Sequence, residues 1–376
     1  MGKKVLHLLS TNTLNGAEKV ALDICTNLKK ETFNTLVVCA GDKLRCYFEE
    51  EGIESFKINI SKLNIREILK LRKLIKNKNI DLIHAHDVRA SIAAKLASFN
   101  LNIIIISHIH GEYDWLKSKS ILKIIDGLFR DKYDLSLACS KNVREFYCMY
   151  NNKCNKDKVI ALPNSFNSSE INKTNIISKK TFKFTNNIPN DKYIFGFVGR
   201  LINLKGVDML IESFNLFCKK HNNSILIIVG EGEQKEKLKN LAIKYNLFTK
   251  IYFVGYRRDV YNWINIFDCF ILPSKREGIP LIILEVMAMK KIVISTYVGG
   301  IPELIVNNYN GILLEERTPQ LLLHSMEYVY ENKNEVNKII ENAYRNLTRN
   351  YSIKDYINNL QIIYKGLLKP HKKLIE

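Results

Sequence analysis

Two glutamates eight positions apart, Glu277 and Glu285, stand in the stretch Ser274-Lys-Arg-Glu-Gly-Ile-Pro-Leu-Ile-Ile-Leu-Glu-Val-Met-Ala. The stretch follows the apolar, strand-like run 269–272. Pro280 fits a first helical turn, which places Glu285 inside an apolar helix and Glu277 on the loop before it. A carboxylate inside such a helix is costly unless it finds partners, and ligand hydroxyls are one kind of partner. Taken alone, the pair also fits an acid/base couple. Upstream, Gly199-Arg200-Leu-Ile-Asn-Leu-Lys205-Gly206 closes another apolar run and precedes a helix. Two cations on such a loop, beside a helix N-terminus, suit a diphosphate. The same residues also fit an ordinary charged surface loop; the two glutamates downstream favour the ligand reading. Gly230-Glu231-Gly232 fits either a turn or the wall of a nucleotide site. In Val298-Gly-Gly-Ile-Pro-Glu303, the glutamate fits the first turn of a helix, where a carboxylate favours the dipole.

The first half carries its own candidates. Gly16 opens a helix after the first strand and permits close approach of a phosphate. His84-Ala-His86-Asp87 and Ser107-His108-Ile-His110-Gly111 end two strands with His-x-His pairs. Such pairs can chelate a metal, but no cysteine or carboxylate set with ligand spacing accompanies them. The expectation is therefore no metal, with one or two histidines contacting substrate and the others packed or hydrogen-bonded.

These residues need a frame that gathers strand ends. Apolar strand-like runs at 5–9, 35–40, 82–85, 103–107, 135–139 and 159–162 alternate with helical patterns. A polar stretch, 167–192, interrupts them. The alternation resumes with strands at 194–198, 225–229, 251–254, 269–272, 292–295 and 312–314. Strand–helix alternation predicts parallel βαβ units and doubly wound α/β sheets. The expected organisation is an N-terminal Rossmann-like domain (1–170), a linker (171–192) and a C-terminal Rossmann-like domain (193–350). A final, mainly helical stretch (351–376) follows. Two such halves predict a ligand cleft between them.

The chain has 376 residues and a formal net charge of +19, with the excess concentrated in the N-terminal half. Basic surfaces suit anionic lipid, phosphorylated substrates or nucleic acid; compositional drift toward Lys, Asn and Ile gives the same number. No aromatic–basic motif supports nucleic acid, which is excluded as a partner. Eight cysteines without a Cys-x-x-Cys pair fit a reducing cytosol. The start of the chain lacks a signal-peptide pattern, and no apolar run reaches the ~20 residues of a membrane span. The expectation is a cytoplasmic protein, peripheral at most on the inner face of the cell membrane. The basic, apolar segment 115–130 fits either an anionic membrane surface or a core-packed helix with a solvated lysine face, and so does 62–78.

Assembled in order, these motifs resemble the retaining glycosyltransferases of family 4, which have the GT-B fold. The resemblance spans nearly the whole chain: Phe-Val-Gly-Arg-Leu with Lys-Gly-Val-Asp, then Gly-Glu-Gly, then Glu-Gly-Ile-Pro-Leu with Leu-Glu-Val-Met-Ala, then Val-Gly-Gly-Ile-Pro-Glu. It implies that Arg200 and Lys205 bind the donor diphosphate, Glu277 the donor-sugar hydroxyls and Glu285 the ribose. Gly278 and the backbone amides of Ile279 and Leu281 approach sugar or phosphate. His110 takes the position of the active-site histidine, and Gly16 that of the first-domain loop that meets the phosphates. The resemblance also implies that domain 1–170 binds the acceptor, that domain 193–350 binds the nucleotide sugar, and that the final stretch, 351–376, crosses back to the first domain. Asn15 replaces a common glycine, Pro280 removes an amide, and Lys290 and Ile292 replace the usual Gly and Pro.

The resemblance implies transfer from a UDP- or GDP-linked sugar to a hydroxyl of a glycan or lipid-linked acceptor, in bacterial surface polysaccharide or glycolipid synthesis. No cofactor is expected beyond the nucleotide-sugar co-substrate. No Asp-x-Asp occurs, so the cations, rather than a metal, are expected to carry the leaving charge. A nucleotide-sugar epimerase of the same fold and a non-catalytic sugar-nucleotide-binding protein are the competing readings.

Overall fold

The computed structural model describes residues 2–151 and 153–369. It divides into two compact units, Met1–Asn164 with Ile353–Glu376, and Ser165–Ser352. Among the described residues no helix is long and apolar enough to cross a membrane.

In the first unit, strands β1 (Lys3–Leu8), β2 (Phe33–Cys39), β3 (Glu54–Lys57), β4 (Leu82–Ala85), β5 (Ile104–Ile109), β6 (Leu135–Ala138) and β7 (Val159–Ala161) form one sheet. Its order is β3-β2-β1-β4-β5-β6-β7, with every pair parallel. Both faces are covered. On β2, Leu36 and Val38 enter one apolar cluster while Val37 and Cys39 enter another, as the two-residue period of a strand requires. Burial on both sides is why these strands read as unbroken Ile/Val/Leu runs.

The helix Ile353–Leu368 completes this unit. Its buried residues Tyr356, Ile357, Leu360 and Tyr364 make one helical stripe. It packs on the helix Gly16–Asn27, and the Tyr364 ring meets Phe33 edge-on, 5.4 Å between centroids.

The second unit repeats the plan. Strands β8 (Tyr193–Val198), β9 (Ser224–Val229), β10 (Ile251–Gly255), β11 (Cys269–Leu272), β12 (Ile292–Thr296) and β13 (Ile312–Leu314) follow the order β10-β9-β8-β11-β12-β13, all parallel. In both sheets the chain builds outward from a central strand, then crosses to its other side. Where the order reverses, between β1 and β4 and between β8 and β11, the connections leave in opposite directions and open a crevice at the carboxyl ends. An aromatic core fills the second unit, with Phe195, Phe197, Phe214, Phe217, Trp263, Phe267 and Phe270 fully buried.

The stretch expected as a linker, 171–192, is structured. It includes the helix Lys179–Thr185, whose Phe182 meets the Trp263 ring edge-on at 5.0 Å. Phe182 and Ile188 belong to the second unit's core. Two anchors in a polar, two-turn segment are too few to show a helical period.

Candidate active site

The loop leaving β8 and the loop leaving β11 are fastened to one another by backbone. Lys275 N donates to Leu204 O at 2.8 Å. Gly206 sits at φ +66°, and a Cβ there would lie 2.2 Å from Pro273 O. The loop leaving β12 is fastened in turn: Gly300 N donates to Gly278 O at 2.9 Å. Gly299, at φ +54°, passes so close that a Cβ would lie 1.8 Å from Glu277 O. Only glycine meets both the left-handed backbone and this approach. The loop leaving β9 joins through Leu201 N to Glu231 O, 2.8 Å. The Gly-Glu-Gly and Val-Gly-Gly motifs therefore bind four loops into one rim at the carboxyl edge of the sheet.

This rim brings Lys205, Ser274 and Glu277 together. Lys205 Nζ lies 2.6 Å from Glu277 Oε1, with side chains 18% and 10% exposed. The same Oε1 accepts from Ser274 Oγ at 2.6 Å. Arg200 is exposed on the loop after β8, with no ion-pair partner among the described residues. Gly278 and Ile279 are buried, and Leu281 begins the helix Leu281–Ala288, whose N-cap is Pro280. Proline at the cap offers no side-chain acceptor, so no side chain caps the first turn of this helix, where Ile283 N donates to Pro280 O at 3.1 Å. Glu285 is 6% exposed in a helix whose buried residues include Ile283, Leu284, Val286 and Met287; it is the helix's single charged residue. Glu303 lies in the first turn of the helix Ile301–Leu304, with Pro302 beside it.

The other sequence candidates lie in the first unit. The Ser10–Asn15 loop is tied at both ends: Ser10 N donates to Asp87 Oδ2 at 3.2 Å, and Asn15 N to Glu18 Oε2 at 3.0 Å. Gly16 follows, and a Cβ there would meet nothing within 4 Å. Internal packing does not demand the glycine.

The histidines form a ladder across three adjacent strands. His84 and His86 share a face, as do His108 and His110, and β1 adds His7, paired with His84 in register. His7 Nδ1 and His86 Nε2 are 2.9 Å apart, and His86 Nδ1 and His110 Nε2 3.3 Å. His84 Nε2 and His108 Nδ1 are 3.2 Å apart, and His84 Nδ1 meets Tyr364 Oη at 2.6 Å. Burial lowers the pKa of every ring, with His7 and His110 pushed to about 3. The ladder is therefore neutral at physiological pH. Each N···N pair has one proton, so the tautomer of His110 follows from that of His86.

Two sets, His7–His84–His86 and His86–His108–His110, have ring nitrogens within 4.8 Å of one another. This is more cluster than the sequence suggested, because His7 was hidden in the apolar run of β1. Neutral imidazoles are transition-metal ligands. Here, however, most of the facing nitrogens are hydrogen-bonded to one another, and His84 and His86 stack at 4.4 Å and 19°. The arrangement orients rings, and among the described residues neither set includes a carboxylate.

Residues 178–346 match the Glycosyl transferases group 1 family, and residues 14–170 match Glycosyltransferase Family 4. The UDP-Gal:alpha-D-GlcNAc-diphosphoundecaprenol alpha-1,3-galactosyltransferase of Escherichia coli is 24% identical over 96% of each chain. The capsular polysaccharide biosynthesis glycosyltransferase CapH of Staphylococcus aureus is 27% identical over 81% of this chain and 84% of its own. Among solved structures, HepE of Anabaena in complex with UDP-glucose superposes with a TM-score of 0.87 at 20% identity, covering 96% of this chain and 99% of that one.

Proposed function

The chain belongs to the family 4 glycosyltransferases, and from that premise we propose that it moves a sugar from a nucleoside-diphosphate sugar to a hydroxyl of a glycan or lipid-linked acceptor, with retention at the anomeric carbon. The observation that carries this reading is the rim at the β8/β11 switch point, where Lys205, Glu277 and Ser274 meet and whose β8 loop also carries the exposed Arg200. Arg200 and Lys205 take the diphosphate. Glu277 holds donor-sugar hydroxyls, Glu285 the ribose, and Gly278 with the amides of Ile279 and Leu281 lines the sugar and phosphate. Within the first unit, Gly16 and His110 are the proposed substrate contacts.

In the transfer, the acceptor oxygen bonds to the anomeric carbon as the carbon–oxygen bond to the diphosphate breaks. The electrons of that bond remain on the diphosphate, and the acceptor proton passes to the leaving phosphate oxygen on the same face. Positive charge grows on the sugar ring and negative charge on the phosphate, so cations fixed at the phosphate stabilise the transition state more than the ground state. No metal is invoked for that charge. His110, neutral because burial holds its pKa at about 3, is a positioning group for donor or acceptor rather than the acid.

Of uridine and guanosine donors, uridine is favoured: the Escherichia coli relative is named for UDP-Gal, and HepE was solved with UDP-glucose. The same relative's diphosphoundecaprenol acceptor and the Staphylococcus aureus relative's capsular polysaccharide role support a lipid-linked acceptor in bacterial surface polysaccharide or glycolipid synthesis. That chemistry is reached at the cytoplasmic face of the membrane. The test is to incubate the protein with UDP-sugars and a polyprenyl-diphosphate sugar, and to read the new linkage by proton NMR. An axial product linkage from an axial donor is expected. An equatorial linkage overturns retention, and an epimerised free donor without transfer overturns the reading itself.

A further inference from the structure

The helix Ile121–Phe129 is built inside out. Its single buried residue is Asp126, while Ile121, Ile124 and Leu128 are 76%, 64% and 52% exposed. They recur at three- and four-residue steps and so share one face. The inversion is held in place by charge. Asp126 Oδ1 accepts from Arg130 Nη2 at 2.5 Å, with both side chains almost fully buried. Asp126 Oδ2 accepts from Asn151 Nδ2 at 2.8 Å and from the Tyr147 hydroxyl. Arg130 Nη1 reaches Ser107 Oγ at 2.8 Å and Ser136 Oγ at 3.1 Å. A buried ion pair is weak evidence for stability, but breaking it is costly, so it fixes the helix in one rotation. The rotation it fixes presents the aliphatic side chains to solvent.

The surroundings of this face are basic. From Lys117 to Leu128 every charge that is not buried is positive: Lys117 and Lys119, both exposed, and the half-buried Lys123, whose Nζ donates to Leu116 O at 2.6 Å. Lys153 adds another, its side chain standing beside Gly127. Asp114 and Asp131 stand beyond the two ends. Tyr113 and Trp115, stacked at 5.5 Å and half-buried, precede the helix; such rings favour a membrane–water boundary. The neighbouring layer repeats the pattern. The helix Val88–Ala97 packs both on Ile121–Phe129 and on Ile65–Lys78. The latter exposes Ile65 and Leu69, 68% and 58%, beside exposed Arg66, Lys70 and Lys73.

We infer that the face Ile121–Ile124–Leu128, with its lysines, is the surface by which this protein docks on an anionic lipid bilayer. An aliphatic stripe flanked by lysines lies in the headgroup region, with its apolar side chains in the acyl boundary and its ammonium groups at lipid phosphates. This deepens the proposed membrane-face location by naming the surface that makes it. It does not depend on the donor chemistry, because the two are read separately.

The experiment is flotation of the full chain with vesicles of phosphatidylcholine alone or mixed with phosphatidylglycerol. The native chain is expected to float with the anionic vesicles, less so at high salt, and not with the neutral ones. The combined variant Ile121→Ser, Ile124→Ser, Leu128→Ser is expected to bind at least about tenfold more weakly, since each side chain loses the burial of several methylene equivalents. The variant Ile243→Ser, Phe248→Ser, in the exposed surface of the second unit, controls for general loss of apolar surface and is expected to float normally. Circular dichroism and the thermal shift with UDP, taken without vesicles, separate docking from folding and donor binding. Native chain that does not float, or a triple variant that floats like native, overturns the assignment. So does a triple variant that only converts a dimer to a monomer in light scattering, which makes the face an interface between copies.

Discussion

Lys205 and Glu277 form one ion pair, 2.6 Å between Nζ and Oε1, across two loops that leave β8 and β11. The cation proposed for the diphosphate and the carboxylate proposed for the sugar therefore set each other's position. Among the described residues Arg200 has no such partner, and it stands exposed.

That difference separates two variants. Arg200→Ala and Lys205→Ala are both expected to lower turnover by about 10²–10³, the loss typical of one transition-state donor. Only Lys205→Ala is expected to lower the melting temperature, because it leaves Glu277 largely buried with Ser274 as its remaining partner at Oε1. Steady-state kinetics and calorimetry on both variants check this. Near-normal turnover in both removes the diphosphate assignment, and equal melting temperatures remove the claim that the pair is structural.

The polar segment before β8 gives a second prediction. Phe182→Ala is expected to destabilise the second unit by about 3–5 kcal/mol, the usual effect of emptying a buried aromatic site. Phe182 is 4% exposed and packs on Trp263, so Trp263 fluorescence during urea unfolding reports it. A free linker would show no change.

This segment also marks where sequence reasoning stops. The long Ile/Val/Leu runs revealed twelve of the strands, because parallel strands covered on both faces are apolar throughout. The strand Glu54–Lys57 escaped, being a short edge strand with no fully buried residue, and so did the helix Asp42–Glu50 before it. The Lys205–Glu277 pairing was legible as two charged motifs, not as a contact, since a separation of 72 positions says nothing of geometry. His7 escaped for the opposite reason: one histidine in an apolar strand looks like noise until register places it beside His84. The inverted helix 121–129 was legible as basic and apolar. Which side faced inward depended on Arg130, Tyr147 and Asn151 converging on Asp126, and that needs tertiary structure.

Removal of divalent metal is a third test. With Arg200 and Lys205 proposed to take the leaving charge, turnover in excess EDTA is expected to equal that in Mg²⁺ or Mn²⁺ within about twofold, far below the 10²–10³ effect of losing a transition-state charge donor. Complete loss in EDTA, restored by either ion, transfers that work to a metal. The His86–His108–His110 set, with nitrogens within 4.8 Å, would then be the first place to seek it by anomalous scattering.

The histidine ladder predicts acid sensitivity of the first unit. In the unfolded chain these rings titrate near 6.5, whereas burial holds His7 at about 3 and His84, His86 and His108 well below the ordinary value. Between those limits the unfolded state binds more protons, so stability is full above about pH 6.5 and falls as pH drops toward 3. For His7 alone the slope is ~1.4 kcal/mol per pH unit. The chain has two tryptophans, Trp115 in the first unit and Trp263 in the second, so a Trp263→Phe background lets Trp115 report the first unit alone. Urea midpoints in that background are expected to fall steeply from pH 7 to pH 5. His7→Phe is expected to flatten the fall, while lowering stability at pH 7 because His86 Nε2 loses its partner at 2.9 Å. A midpoint that stays level from pH 7 to pH 5 would show that the ladder takes up protons in the folded state, and His110 would then carry charge at the pH where transfer is proposed to need it neutral.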